Sequence, residues 1–152
     1  MANRMTVKHR GGRNLDRLLR TAMKGGVKNV SAGFFSSARY DDKKKTPVAA
    51  VAAWNEFGTK KIPERPFFRT ALEEAKPKVV ALLKDEIDPR RMTVGPLLAD
   101  KIGALVQGEI QESITRLRQP PNAPATIARK DSSNPLIDTG HMRESVTWRV
   151  KR

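Results

Sequence analysis

A chain of 152 residues with a net charge of +14 and a pI near 10.7 repels copies of itself at low salt and favours nucleic acid, acidic proteins or anionic surfaces. It has no cysteine, which excludes disulfides, thiolate metal sites and a cysteine nucleophile. Its 38% hydrophobic and 30% charged content allows one domain with a modest core, and no run of about 18 apolar residues is available to span a membrane.

Residues 1–13 are polar and basic, with Gly11-Gly12 among them, and read as a flexible basic arm. They lack the apolar stretch of a secretory signal, so a cytoplasmic origin is the default expectation. The remainder, 14–152, reads as one α+β domain. Asn14 is placed to cap a helix over 15–24, with Leu15, Leu18, Leu19 and Ala22 as its stripe and Gly25-Gly26 as its stop. Over 27–40 the period changes to two. Val30, Ala32, Phe34, Ala38 and Tyr40 alternate with polar or small residues, which predicts a strand with one buried face. Asp41 to Lys45 is a polar loop at the tip of a hairpin.

Thr46-Pro47 predicts a helix start, Thr46 as cap and Pro47 at the first helical position. The helix runs to Phe57 and Gly58 ends it, with Ala50, Trp54 and Phe57 on one side and the two aromatics expected in the core. Pro63 and Pro66 hold Glu64-Arg65 extended, and Pro66 suits the start of the next helix. That helix covers 67–87, where Pro77 should kink or split it. A third helix over 94–118 aligns Leu98, Ile102, Leu105, Val106, Ile110, Ile114 and Leu117 on one face. Gly95, Gly103 and Gly108 weaken it or admit a close neighbour. Residues 119–135, rich in Pro, Asn, Ser and Ala, predict a long Pro-rich loop or extended arm. A short helical turn and a last strand follow, with Val146, Trp148 and Val150 inward. The class is α+β: a small antiparallel sheet packed against three to four helices.

Few of the chemistry-bearing residues cluster. Leu136-Ile137-Asp138-Thr139-Gly140 has the form of an aspartic-protease turn, and a dimer would be needed for the second carboxylate. Residues 141–152 are too few to build substrate walls behind it, so Asp138 or Thr139 is expected to cap the following turn. His9 and His141 lack a carboxylate partner at metal or triad spacing and are expected on the surface. Gly11-Gly12 has neither the preceding strand nor the Lys-Ser/Thr ending of a nucleotide loop. No catalytic, metal or cofactor site is therefore expected. Arg4, Lys8, Arg10, Arg13 and Lys43, Lys44, Lys45 are candidate contacts to DNA or an acidic partner, set against the alternative of a solvated surface. Phe67 and Phe68 point about 100° apart on a helix, so one is expected to be buried and the other to anchor a neighbour.

Two separated segments carry a resemblance. Ala52-Ala53-Trp54-Asn55-Glu56-Phe57-Gly58-Thr59 runs into Ile62-Pro63-Glu64-Arg65-Pro66-Phe67-Phe68-Arg69 and two long helices. Ala123 to Lys130 then leads to Pro135-Leu136-Ile137-Asp138-Thr139-Gly140. This order over roughly 50–148 resembles the neck or tail-completion (head–tail joining, virion-morphogenesis) proteins of long-tailed bacteriophages. The resemblance implies a non-enzymatic α+β virion part without a cofactor. Such a part forms a homo-oligomeric ring, often a hexamer, between the head connector, or portal, and the tail tube, around the DNA channel. It would be located in the virion neck or tail, and in the host cytoplasm during assembly. Subunit or partner contacts implied by the matching residues are Trp54, Glu56, Phe57, Gly58, Arg65, Pro66, Phe67, Leu136, Ile137, Asp138, Thr139 and Gly140. Pro77 departs from the smooth helix the family leads one to expect. The alternative, motivated by charge alone, is a basic protein that binds nucleic acid without sequence specificity.

Overall fold

The computed structural model describes residues 27–88, 93–94, 97–130 and 132–152. The expected arm over 1–13, the helix over 15–24 and Gly95 lie outside them. The fold is α+β: among the described residues, a two-stranded antiparallel sheet with five helices around it.

Strand β1 (Asn29–Phe34) pairs with the last strand, β4 (Val146–Lys151), so that Asn29 faces Lys151 and Phe34 faces Val146. In β4 the expected alternation holds, with Val146 buried, Trp148 and Val150 half-buried and the residues between them exposed. The strand expected over 27–40 stops early. A turn at 35–37, closed by Ala38 N–H to Phe35 O at 3.1 Å, breaks the ladder, yet Ala38 and Tyr40 still pack on the core as their period requires. Arg39 then bridges Pro47, and Tyr40 N–H donates to Thr46 O at 2.9 Å, which closes a small hairpin around the Lys43 to Lys45 tip. Asp42 accepts from both the hydroxyl and the N–H of Thr46, and these bonds lower its pKa from the usual carboxylate value.

Helix α1 (Val48–Phe57) begins one residue later than expected. Pro47 occupies the cap position, because the Thr46 hydroxyl is committed to Asp42 rather than to the helix. Gly58 ends it with a positive φ (φ 71°, ψ 172°) open to glycine, where a Cβ would stand 3.0 Å from Glu64 N and 3.1 Å from Ile62 O. Helix α2 (Phe67–Glu86) passes through Pro77 as one element of 20 residues, so the expected split does not occur. Pro77 lies on the exposed side, and the buried stripe Phe67, Ala71, Ala75, Leu83 runs past it without interruption. A two-residue ladder joins β2 (Ile87–Asp88) to β3 (Thr93–Val94), a pairing too short to leave a period in the sequence.

Helix α3 (Leu98–Arg116) starts four residues later than expected and touches α2 and both strands of the sheet. Its Ile110 and Ile114 are fully buried in the cluster with Val48, Ala52, Phe67, Ala71, Leu136, Met142 and Val146. Each such side chain contributes roughly 1.5–3 kcal/mol by leaving water. Of its glycines, Gly103 admits a neighbour: the Trp148 ring lies 2.7 Å from where a Cβ would be. Gly108 faces open space instead. Helix α4 (Pro124–Lys130) and the single turn α5 (His141–Glu144) complete the chain.

One expectation is corrected here: the 119–135 segment is not a long loop or arm, because it holds α4, Arg65 binds its Pro120 and Pro121 carbonyls, and its Asn134 side chain reaches Thr115 O. Of the two adjacent aromatics Phe67 is buried, as expected of one of them, and Phe68 is half-buried, with the Phe34 ring 6.3 Å from the first and 6.4 Å from the second.

Candidate functional site

The first motif is a chain reversal that delivers a carboxylate to a helix end. After Gly58, Thr59 N–H donates to Ile62 O at 2.8 Å, and the Thr59 hydroxyl accepts from the N–H groups of Lys61 and Ile62. The chain returns along α1 until Arg65 N–H meets Asn55 O at 2.7 Å. Glu56 therefore points at the N-terminus of α2. Its Oε2 accepts from Phe68 N–H at 2.8 Å and its Oε1 from Arg69 N–H at 3.2 Å, while Arg69 Nε sits 2.9 Å away. The open donors of a helix start are thus met by a residue from the preceding helix, and its charge suits the positive end of the dipole. Arg69 also pairs with Glu64 and lies over the Phe57 ring at 5.8 Å.

Arg65 is 3% exposed and held entirely by neutral oxygens. Nε donates to Pro120 O at 2.9 Å, one terminal nitrogen to Asn55 Oδ1 at 2.9 Å, and the other to Pro121 O at 3.1 Å and Asn122 Oδ1 at 3.0 Å. No carboxylate pairs with it among the described residues, and burial lowers its pKa from the usual arginine value. The planar fork fits this set of acceptors as no other side chain would.

The second motif is organised by Asn134. Its Oδ1 accepts from the N–H groups of Leu136 at 2.8 Å and Ile137 at 3.1 Å. Its Nδ2 donates to Thr115 O at 3.0 Å, at the end of α3 where carbonyls lack helical partners. This seats Leu136 in the core. Lys130 Nζ approaches Asn134 O at 3.3 Å and Pro135 O at 3.5 Å. Its pKa is lowered, first by burial and then by Arg65 and Arg129, against the opposing pull of Asp138. Downstream, Gly140 (φ 87°) leads into α5, and the Thr139 hydroxyl accepts a long 3.4 Å bond from His141 N–H. His141 Nε2 donates to Arg39 O at 2.9 Å, and its ring packs 5.0 Å from that of Tyr40. Burial raises the Tyr40 pKa, and Asp138 adds to the effect.

The two motifs face each other across an open cleft of about 870 Å3. Tyr40 and Thr46, then Trp54, Ile62 and Pro63, then Ala123 and Thr126 of the α4 segment, and then Thr139 and His141 line it. Four cations, Lys61, Arg65, Arg129 and Lys130, belong to its lining, against two carboxylates, Asp42 and Asp138.

The expected contact residues thus divide by burial. Trp54 (46% exposed) and Phe57 (55% exposed) are on the surface, which corrects their expected place in the core: on α1 it is Val48, Ala52 and Glu56 that face inward. Asp138 and Thr139 are exposed, and Gly58, Pro66, Ile137 and Gly140 are half-buried. Glu56, Arg65, Phe67 and Leu136 are buried within this chain and shape the motifs, and of these Arg65 and Leu136 also belong to the lining of the cleft. Lys43, Lys44 and Lys45 are exposed at the hairpin tip, where Lys45 pairs with Asp41. Arg4, Lys8, Arg10 and Arg13 lie outside the described residues. Sequence reasoning missed Asn134, although an Asn before a Pro signals this kind of turn.

Among the described residues, no group of three or more His, Asp or Glu side chains is placed to hold a metal ion, and no helix is long and apolar enough to cross a membrane. No protein-family profile, curated protein or solved structure matches the chain.

Proposed function

We propose that this chain is a non-enzymatic structural subunit of a tailed-bacteriophage neck or tail, forming a homo-oligomeric ring at the head–tail interface around the DNA channel. The observation that carries the reading is the exposure of Trp54 and Phe57, two large aromatics on one helix inside the motif that resembles tail-completion proteins. Exposed aromatic side chains beside an arginine, here Arg69 over Phe57, are the residues that most often anchor protein interfaces. Asp138 and Thr139 offer polar rim contacts from the second motif. A ring requires two different faces per subunit, and the two motifs meet only one of them, so the complementary face lies elsewhere on the surface. The net charge of +14 opposes closure, and acidic virion proteins or the DNA in the channel would supply the counter-charge.

Light scattering and negative-stain images of the full chain test the reading across salt concentration. A closed ring is expected, and Trp54→Glu/Phe57→Glu should give a folded monomer. A monomer under all conditions that binds duplex DNA in a salt-sensitive manner would replace this reading with the nucleic-acid one. Catalytic turnover by the purified protein would end both.

A further inference from the structure

The cleft between the motifs has a chemistry that the ring proposal leaves unused. Arg65 and Lys130 are cations drawn out of water and held by backbone carbonyls and side-chain amides, with no carboxylate bonded to either among the described residues. Neutral oxygens accept from their N–H groups and carry no counter-charge, and Asp138 offsets the Lys130 charge only in part, since the pKa of Lys130 is still lowered. Burial and mutual repulsion both press on the Lys130 ammonium. Lys61 and Arg129 add two more cations at exposed positions of the same lining. Ile62 and Pro63 add apolar surface to the same lining.

We infer that this cleft is a docking site for an extended acidic segment, carrying apolar side chains between its carboxylates, of a different protein.

Charge selects that occupant. The chain's own first 26 residues carry seven Lys and Arg against Asp16 alone, so they would add to the repulsion. A second copy is a poorer occupant, since it carries the same net charge of +14 and its Glu74, Glu86, Asp100 and Glu109 sit on helices and already pair with Arg116, Lys101, Arg152 and Lys78. Nucleic acid fits less well, because the apolar residues of the lining give a sugar-phosphate backbone nothing. The cleft, about 870 Å3 and open, leaves room for a few side chains of a segment that continues past its ends. The inference rests on the assembly proposal only for the expectation that the partner is another virion protein.

The test uses the full chain and a labelled peptide of about eight residues with alternating Glu and Leu, which at ~3.3 Å per residue is about 26 Å long when extended. A Lys–Leu peptide of the same length is the control. Fluorescence anisotropy should show binding of the acidic peptide alone, weakening as salt is raised. Lys61→Glu/Arg129→Glu should weaken it about tenfold or more. Both side chains are exposed and without ion pairs among the described residues, so the variant should fold, which circular dichroism checks. The charge-matched Lys28→Glu/Lys84→Glu, outside the cleft, should bind like the parent. Three results would overturn the inference: no preference for the acidic peptide, equal loss in both variants, or displacement of the peptide by duplex DNA with the same sensitivity to Lys61 and Arg129. Loss of peptide binding with ring formation intact would remove this inference and leave the assembly proposal standing. A monomer that still binds the peptide would do the reverse.

Discussion

Glu56 shows how a residue that looks like a surface contact can be a structural one. It lies near the end of an amphipathic helix, where a carboxylate would normally meet water. Its two oxygens instead close the start of α2 through the N–H groups of Phe68 and Arg69. Truncation would remove a cap and leave buried donors unpaired, so Glu56→Ala is expected to cost about 2–4 kcal/mol. Glu56→Gln keeps one acceptor and should cost less. Urea unfolding checks both, and a loss below about 0.5 kcal/mol for the alanine variant would mean that water replaces the carboxylate. Arg65 follows the same logic with the sign reversed, a cation enclosed by carbonyl and amide oxygens. Neither role was legible from residue type. A Glu and an Arg near a turn read as polar surface, and what buries them is the return of the chain at Gly58 and the approach of Pro120 and Pro121, more than fifty residues away in sequence.

The helical and strand elements were more legible, because each carries a period. The alternation over 30–40 and 146–150 and the stripe of α3 place the right side chains inward, even where boundaries move by several residues. The sequence failed where geometry depends on a partner. On α1, the small residues Val48 and Ala52 face the core and the aromatics face out, a choice set by the neighbours' proximity rather than by size. On α3, Gly103 is a contact surface for Trp148. Alanine there should gain up to about 1 kcal/mol of helix propensity yet lose roughly 1–3 kcal/mol to overpacking, because the near atoms belong to the body of the indole and not to a flexible tip. Net destabilisation on chemical unfolding, with altered near-UV dichroism from Trp148, is the expected result of Gly103→Ala. Gly108→Ala, which meets open space, should be stabilising and serves as the control.

For the whole molecule, charge is the dominant quantity. The described core is built from residues 32–146, while Arg4, Lys8, Arg10 and Arg13 precede it in the chain. Deleting residues 1–13 is therefore expected to leave the circular dichroism unchanged and to weaken salt-sensitive binding to DNA or acidic partners. A collapse of the dichroism on deletion would make those residues part of the fold. The cleft belongs to this scale as well. Its walls come from four stretches of chain, within 40–46, 51–65, 121–130 and 135–142.

Composition and periodicity by themselves determined that this is an α+β chain with a strong positive charge, no thiol chemistry, and two turn-rich motifs in a fixed order. These properties are local, written in residue types and spacings of two to four positions. Tertiary structure alone decided which motif residues are surface and which are scaffold, that the Pro-rich segment folds back as α4, and that four cations share one cleft. Those outcomes depend on contacts between residues far apart in sequence, where burial and the pairing of charges are settled by what arrives from elsewhere in the chain.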